Sequence, residues 1–315
     1  METKTLTVYS AGPEGFAEPT RAYMFGPYQA LLKTVFTGGV INPWELTSDA
    51  EVMAVISLPS GPDRVEKLAA LHDLIGQRNA NGIERANTIV ANLEDDDSGT
   101  GSEIGYGAAL GNFLFGMMTD IRRSADIDPF IAYLIERSGG EIVRKLGDLS
   151  EAVARGAARG PHYNGAARAT SDVDHRKPTV FFGGLMGYTE GTEWFWQTTL
   201  RPALEEAGLK VTRQRDLPQD NDLGAEIAAA IEAADLVVVD LDRQEIPIGT
   251  AAIAGFAYGY GKPVFGYRSD FRASGEEGAG FNLQVKYFVL HSGGAVVNST
   301  ELLVSSITAY LDAKA

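Results

Sequence analysis

Cysteine is missing from all 315 residues. Its absence removes disulfides, thiolate zinc ligands and a cysteine nucleophile together, and leaves the redox environment open. Basic charge is also short, with 27 Lys and Arg against 42 Asp and Glu, for a net charge of −15. That balance repels a phosphate polymer and no Lys/Arg stripe relieves it, so the expected partners are small molecules and not nucleic acid. No run of about 18 apolar residues and no basic-then-apolar leader occurs, so the expectation is a cytoplasmic chain with no membrane partner. The four histidines, His72, His162, His175 and His291, lack ligand spacing. No metal and no cofactor is therefore expected. There is no Gly-x-x-x-x-Gly-Lys-Ser/Thr loop, and Ile104 stands where a third fingerprint glycine after Gly99-x-Gly101 would be needed.

What the chain does have is a repeat. Thr7-Val8-Tyr9-Ser10-Ala11-Gly12 matches Thr179-Val180-Phe181-Phe182-Gly183-Gly184, each an apolar strand entering a small-residue turn. Ile83-Glu84-Arg85-Ala86-Asn87 matches Ile231-Glu232-Ala233-Ala234-Asp235, and Gly111 to Gly116 matches Gly261 to Gly266. Asp120-Ile121-Arg122-Arg123-Ser124 pairs with Asp270-Phe271-Arg272-Ala273-Ser274, and Ser138-Gly139-Gly140 with Ser292-Gly293-Gly294. Alternation of short apolar runs with helical stretches predicts right-handed βαβ crossovers on a parallel sheet, once in each half. Ligands of such sheets bind beyond the carboxyl ends of the strands. The Ala-, Gly- and Arg-rich residues 151–177 read as a helix tail and linker between a domain at 1–150 and another at 178–315.

The two copies differ in their acids. After the buried run Thr88 to Leu93 comes Glu94-Asp95-Asp96-Asp97-Ser98-Gly99-Thr100-Gly101-Ser102-Glu103-Ile104-Gly105-Tyr106. With Gly99-Thr100 laid on Gly249-Thr250, Asp97 falls on Pro247 and Glu103 on Ile253. Gly99 and Gly101 allow close ligand approach, and Glu103 is expected in the first turn of a helix, kept ionised by the positive helix end and available as a nucleophile. The alternative is that Asp97 or Ser98 caps the helix and Glu103 is a solvated first-turn acid.

Tyr9, the run Asp97 to Tyr106 and the following Gly111-Asn112-Phe113-Leu114-Phe115-Gly116 together resemble the nucleoside 2-deoxyribosyltransferase family. The likeness covers most of residues 5–145 and, weakened, 178–298. It implies an α/β fold of two flavodoxin-like domains, each a parallel five-stranded sheet flanked by helices, packed as a pseudo-dimer with a degenerate second copy. By the resemblance Glu103 attacks the anomeric carbon, Tyr9 orients it, and Asp97 holds or protonates the leaving base, with Gly12, Gly99 and Gly101 among the substrate-binding residues. The implied chemistry retains configuration through a glycosyl-enzyme that a second base or water opens. The implied partners are a nucleoside or nucleotide and a free base, with a further homo-oligomer of the pseudo-dimer left open.

Two departures accompany the likeness. A second acid of the family pattern falls at Asn79, which can pair with a base edge but cannot donate a proton near neutral pH. The family also completes each site with an Asn from a neighbouring chain. Here that residue is Asn282, followed by Gln284, in the half without the glutamate, and Ala132 is its expected counterpart in the first half. Complementary loss of this kind follows fusion of two subunits with one of two equivalent sites kept. Transfer, hydrolysis of a nucleoside 5′-monophosphate, and a non-catalytic nucleotide-binding or sensor role all remain open on the residues alone.

Overall fold

The computed structural model describes residues 5–120, 127–159, 177–220, 222–270, 272 and 280–314. Residues 160–176 of the expected linker lie outside these, as does most of the matched pair beginning at Asp120 and Asp270; residues 149–159 are helical. No helix among the described residues is long and apolar enough to cross a membrane.

The strands of the first half, β1 (Thr7–Ala11), β2 (Gly39–Ile41), β3 (Thr88–Asn92), β4 (Phe113–Met117) and β5 (Ile142–Val143), form a parallel sheet in the order β2-β1-β3-β4-β5. The second half repeats it with β6 (Thr179–Gly183), β7 (Lys210–Arg213), β8 (Leu236–Asp240), β9 (Val264–Tyr267) and β10 (Val296–Val297), in the order β7-β6-β8-β9-β10. The central strands β3 and β8 are covered on both faces, which explains their unbroken apolar runs. The edge strands β2 and β7 are short and partly exposed, and carry no such run.

Among the described residues, six helices join the halves: α1 (Pro62–Arg85), α2 (Ser98–Leu110), α3 (Pro129–Arg137), α4 (Leu223–Ala233), α5 (Ile248–Gly259) and α6 (Leu283–His291). By the repeat, α1 corresponds to α4, α2 to α5 and α3 to α6. Helix α2 packs along α5, α1 against α6, and α3 against α4, so exchanging the halves maps each contact onto itself or its twin. That is an isologous interface inside one chain.

The α2–α5 crossing is a backbone contact. A Cβ on Gly105 would lie 2.0 Å from the Ala252 carbonyl oxygen, and one on the equivalent Gly255 would lie 1.9 Å from that of Ser102. Real Cβ atoms do not approach that closely, so both positions require glycine for proximity. One continuous core runs through the interface, holding Tyr9, Ile104 and Tyr106 from one half with Phe181, Ile253 and Phe288 from the other. Separate clusters lie on the outer faces of the two sheets.

Gly105→Ala and Gly255→Ala should therefore each destabilise the chain by about 1–3 kcal/mol or more, the usual cost of overpacking. Gly191→Ala, where a Cβ meets open space in a helix, should be neutral or stabilising by up to about 1 kcal/mol. Urea melts of the three variants check this, and an undisturbed Gly105→Ala would contradict the close crossing.

Candidate active site

The turn after β3 starts α2 through a cap: the Asp97 Oδ2 oxygen accepts from the Thr100 amide at 2.6 Å and from the Thr100 hydroxyl at 2.6 Å. Asp97 thus fills the capping role open to it in the sequence. One helical turn further on, Glu103 faces β1, where the Tyr9 hydroxyl donates to its Oε1 at 2.5 Å. Tyr9 is wholly buried and Glu103 is 5% exposed.

Above this pair lies a cavity of about 770 Å³. Gly12, Asn79, Asp97, Gly99, Glu103, Asn282 and Gln284 all line it, so seven of the nine residues singled out in the sequence share one wall. Tyr9 stands behind Glu103 and reaches the cavity only through it. Gly101 departs from expectation: its open side faces the Ile248 carbonyl, 2.3 Å from where a Cβ would be, so it serves the helix crossing and not ligand approach. Asn282 arrives from the second half as the N-cap of α6, its Oδ1 accepting from Gln284 N at 2.9 Å and Val285 N at 3.3 Å. A Cβ on Gly99 would lie 3.0 Å from Asn282 Nδ2, so glycine there lets Asn282 lie on the acidic turn. The Ser98 hydroxyl donates to Glu245 at 2.6 Å, tying the same turn to the second half.

The environment of Glu103 differs from expectation. It is neither exposed nor in the first turn: it lies in the second turn of α2, on the face turned to its own sheet against the buried Tyr9. Burial pushes its carboxyl up to about 8, with the charges of Asp97 and Glu14 adding to the rise and the Tyr9 hydrogen bond opposing it. Burial, with Glu103 alongside, in turn holds the Tyr9 phenol well above its ordinary range, so Tyr9 is a fixed donor. Burial, more than any pull of the helix end, sets the direction of the Glu103 shift.

The sequence profile described as nucleoside 2-deoxyribosyltransferase matches residues 8–154 and again 180–302. The chain belongs to the nucleoside 2-deoxyribosyltransferase family. Among solved structures, a 2-desoxiribosyltransferase from Leishmania mexicana is 19% identical, covering 42% of this chain and 97% of its own, with a TM-score of 0.36. A conserved protein from Enterococcus faecalis V583 is 21% identical over 42% of this chain and 98% of its own, also at 0.36. No curated protein matches.

In the second copy of the deoxyribosyltransferase repeat, the corresponding site is filled. Phe181, Ile227 and Ile253 stand where Tyr9, Asn79 and Glu103 stand in the first, and all three belong to the shared core. The counterpart of Asn282 is not Ala132 but Asp128, which caps α3 by accepting from Phe130 N at 2.8 Å and Ile131 N at 3.2 Å. The Asp128 carboxylate lies against Gly249 as Asn282 lies against Gly99. The correct anchor was the capping residue before each helix; the apolar stretches inside α3 and α6 offer no unique register.

Three residues of the site were not read from the sequence. Phe16 and Trp44 line the cavity with rings edge to face at 4.7 Å, and the Trp44 indole donates to the Gly12 carbonyl at 3.3 Å. Glu14 is buried beside Gly12, accepts from Asn92 Nδ2 at 2.8 Å, and is raised by burial. Its counterpart in the filled copy is Met186, and that of Asn92 is Asp240. A lone Glu in a Gly-Pro-Glu-Gly turn carries no signal of burial; only this coupled exchange could have found it.

A carboxyl raised from its ordinary 4.5 to about 8 binds its proton more tightly in the folded chain than in the unfolded one. Its contribution to stability is present below the unfolded value and is lost as pH rises through about 8. Glu103→Gln keeps an acceptor for Tyr9 without the charge. Its melting temperature relative to the parent should therefore rise steadily between about pH 5 and pH 8.5, whereas parallel curves would contradict the buried-acid assignment.

Proposed function

We propose that the chain cleaves the N-glycosidic bond of a 2-deoxynucleoside through a covalent glycosyl-Glu103 intermediate. The observation that carries this reading is the Tyr9–Glu103 hydrogen bond of 2.5 Å at the wall of a cavity closed from the other half by Asn282. A glutamate so placed bonds to the anomeric carbon as the bond to the base nitrogen breaks. The base leaves with the electron pair and takes up a proton, with Asp97 holding or protonating it. A second base or a water then attacks the same carbon and frees Glu103, giving transfer or hydrolysis. The ionised form of Glu103 is the nucleophile, and the Tyr9 phenol donates to the oxygen that carries its charge.

On this reading residues 1–150 hold the nucleophile, and 178–315 form a degenerate copy that completes its site. Arg21 is the single basic side chain among the described lining residues, against Glu45, Asp49, Asp97 and Glu103. That balance favours an uncharged nucleoside over a 5′-monophosphate. A purely binding role leaves unexplained why acid and phenol from one copy and an amide from the other converge on a single site.

Incubation with 2-deoxynucleosides and their monophosphates, with and without added free base, followed by chromatography tests the proposal. Nucleosides should release base or exchange it. Glu103→Ala should abolish the reaction, and Asn282→Ala should slow it by about tenfold to a hundredfold, as expected for one lost hydrogen bond of roughly 1–3 kcal/mol. Inertness toward the whole panel, or full activity of Glu103→Ala, would overturn it.

A further inference from the structure

Two amide side chains in the cavity wall carry buried carbonyl oxygens with no partner: Asn79 Oδ1 and Gln284 Oε1. Asn79 is 9% exposed and Gln284 is 2% exposed. A buried acceptor left unpaired is costly, and the wall holds two. They come from opposite halves. Asn79 lies on α1 and Gln284 in the first turn of α6, and these helices pack on one another.

The orientation of Gln284 is set by its other end. Its Nε2 donates to the Gly76 carbonyl at 3.4 Å, one turn of α1 before Asn79. Turning the amide over would set two carbonyl oxygens against each other, so the end of Gln284 left without a partner is an acceptor and not a donor. In the filled copy the residue equivalent to Asn79 is Ile227, so this polar wall goes with the copy that holds Glu103.

We propose that Gln284 and Asn79 form a base-selecting subsite that accepts hydrogen bonds from an exocyclic amino group, so that the preferred leaving or incoming base is an aminopurine or aminopyrimidine. An –NH₂ group offers two hydrogens to two acceptors. An oxo-base would set its own carbonyl oxygen against that of Gln284, whose orientation the Gly76 contact fixes, leaving both oxygens unsatisfied. A site built to receive a hydrogen bond rejects analogues lacking it more strongly than an apolar pocket rejects a change in shape. This inference deepens the glycosidic reading and rests on the same cavity, but it concerns base binding and is separable from turnover.

The test is calorimetric binding of free bases to the intact chain, comparing adenine with hypoxanthine and purine, and cytosine with uracil. Adenine and cytosine should bind at least about tenfold tighter than their oxo or unsubstituted partners. In Gln284→Met, a chain of similar length without the acceptor, the ratio should fall toward one. Because the ratio is taken within one preparation, loss of folded protein lowers both bindings and leaves it unchanged. Equal affinity or an oxo preference in the parent, or an unchanged ratio in Gln284→Met, would overturn the subsite. If the amino preference holds but no nucleoside is cleaved, the glycosidic reading fails while the subsite stands.

Discussion

The architecture depends on the close approach of two helices that carry almost no side chain where they cross. Gly105 sits on the carbonyl of Ala252 and Gly255 on that of Ser102, and a methyl group at either position would hold the halves apart. The contact has direct consequences for chemistry. Helix α2 is the helix that carries Glu103, so the crossing also fixes where Glu103 stands between Tyr9 and the cavity that both halves line. The second half does not merely accompany the first; it forms the wall of its site and contributes Asn282 and Gln284 to it.

Burial and charge then act together. The chain is acidic, yet Glu103 is enclosed near Asp97 and Glu14, and its proton is held to about 8. Tyr9 is the group that opposes this, donating to the oxygen that bears the charge. A carboxyl in this setting keeps most of its proton near neutrality. Its ionisation is coupled to whatever enters the cavity: an entering group that donates to the carboxylate would favour the charged form, and one that further dries the site would oppose it. The copy that lost its glutamate shows the reverse outcome, with Phe181, Ile227 and Ile253 closing the space as ordinary core.

The sheets were legible because central parallel strands, buried on both faces, must be apolar throughout: Leu236 to Val239 can hardly be anything else. The edge strand Gly39–Ile41 was not, since a three-residue partly exposed strand has no pattern to show. Tyr9, Asp97, Glu103 and Asn282 were legible through motif and repeat. The mistaken positions share one cause, which is that a sequence shows which residues are small or charged and not what faces them. Gly101 looked like a ligand-approach glycine and is a helix-crossing one. Glu103 looked like an exposed first-turn acid and is buried in the second turn against Tyr9 of a strand 94 residues earlier. Glu14 gave no sign of being buried at all.

The central claim is that a single buried glutamate, in a cavity lined by both halves, becomes covalently bonded to sugar. It is tested most directly by rapid acid quenching of the protein with a 2-deoxynucleoside in the absence of acceptor base, followed by intact-mass and peptide analysis. The account predicts an added mass of one deoxyribosyl group, carried by the peptide containing Glu103 and missing in Glu103→Gln. Base release with no adduct under conditions that trap one, or an adduct on a peptide from residues 178–315, would contradict it.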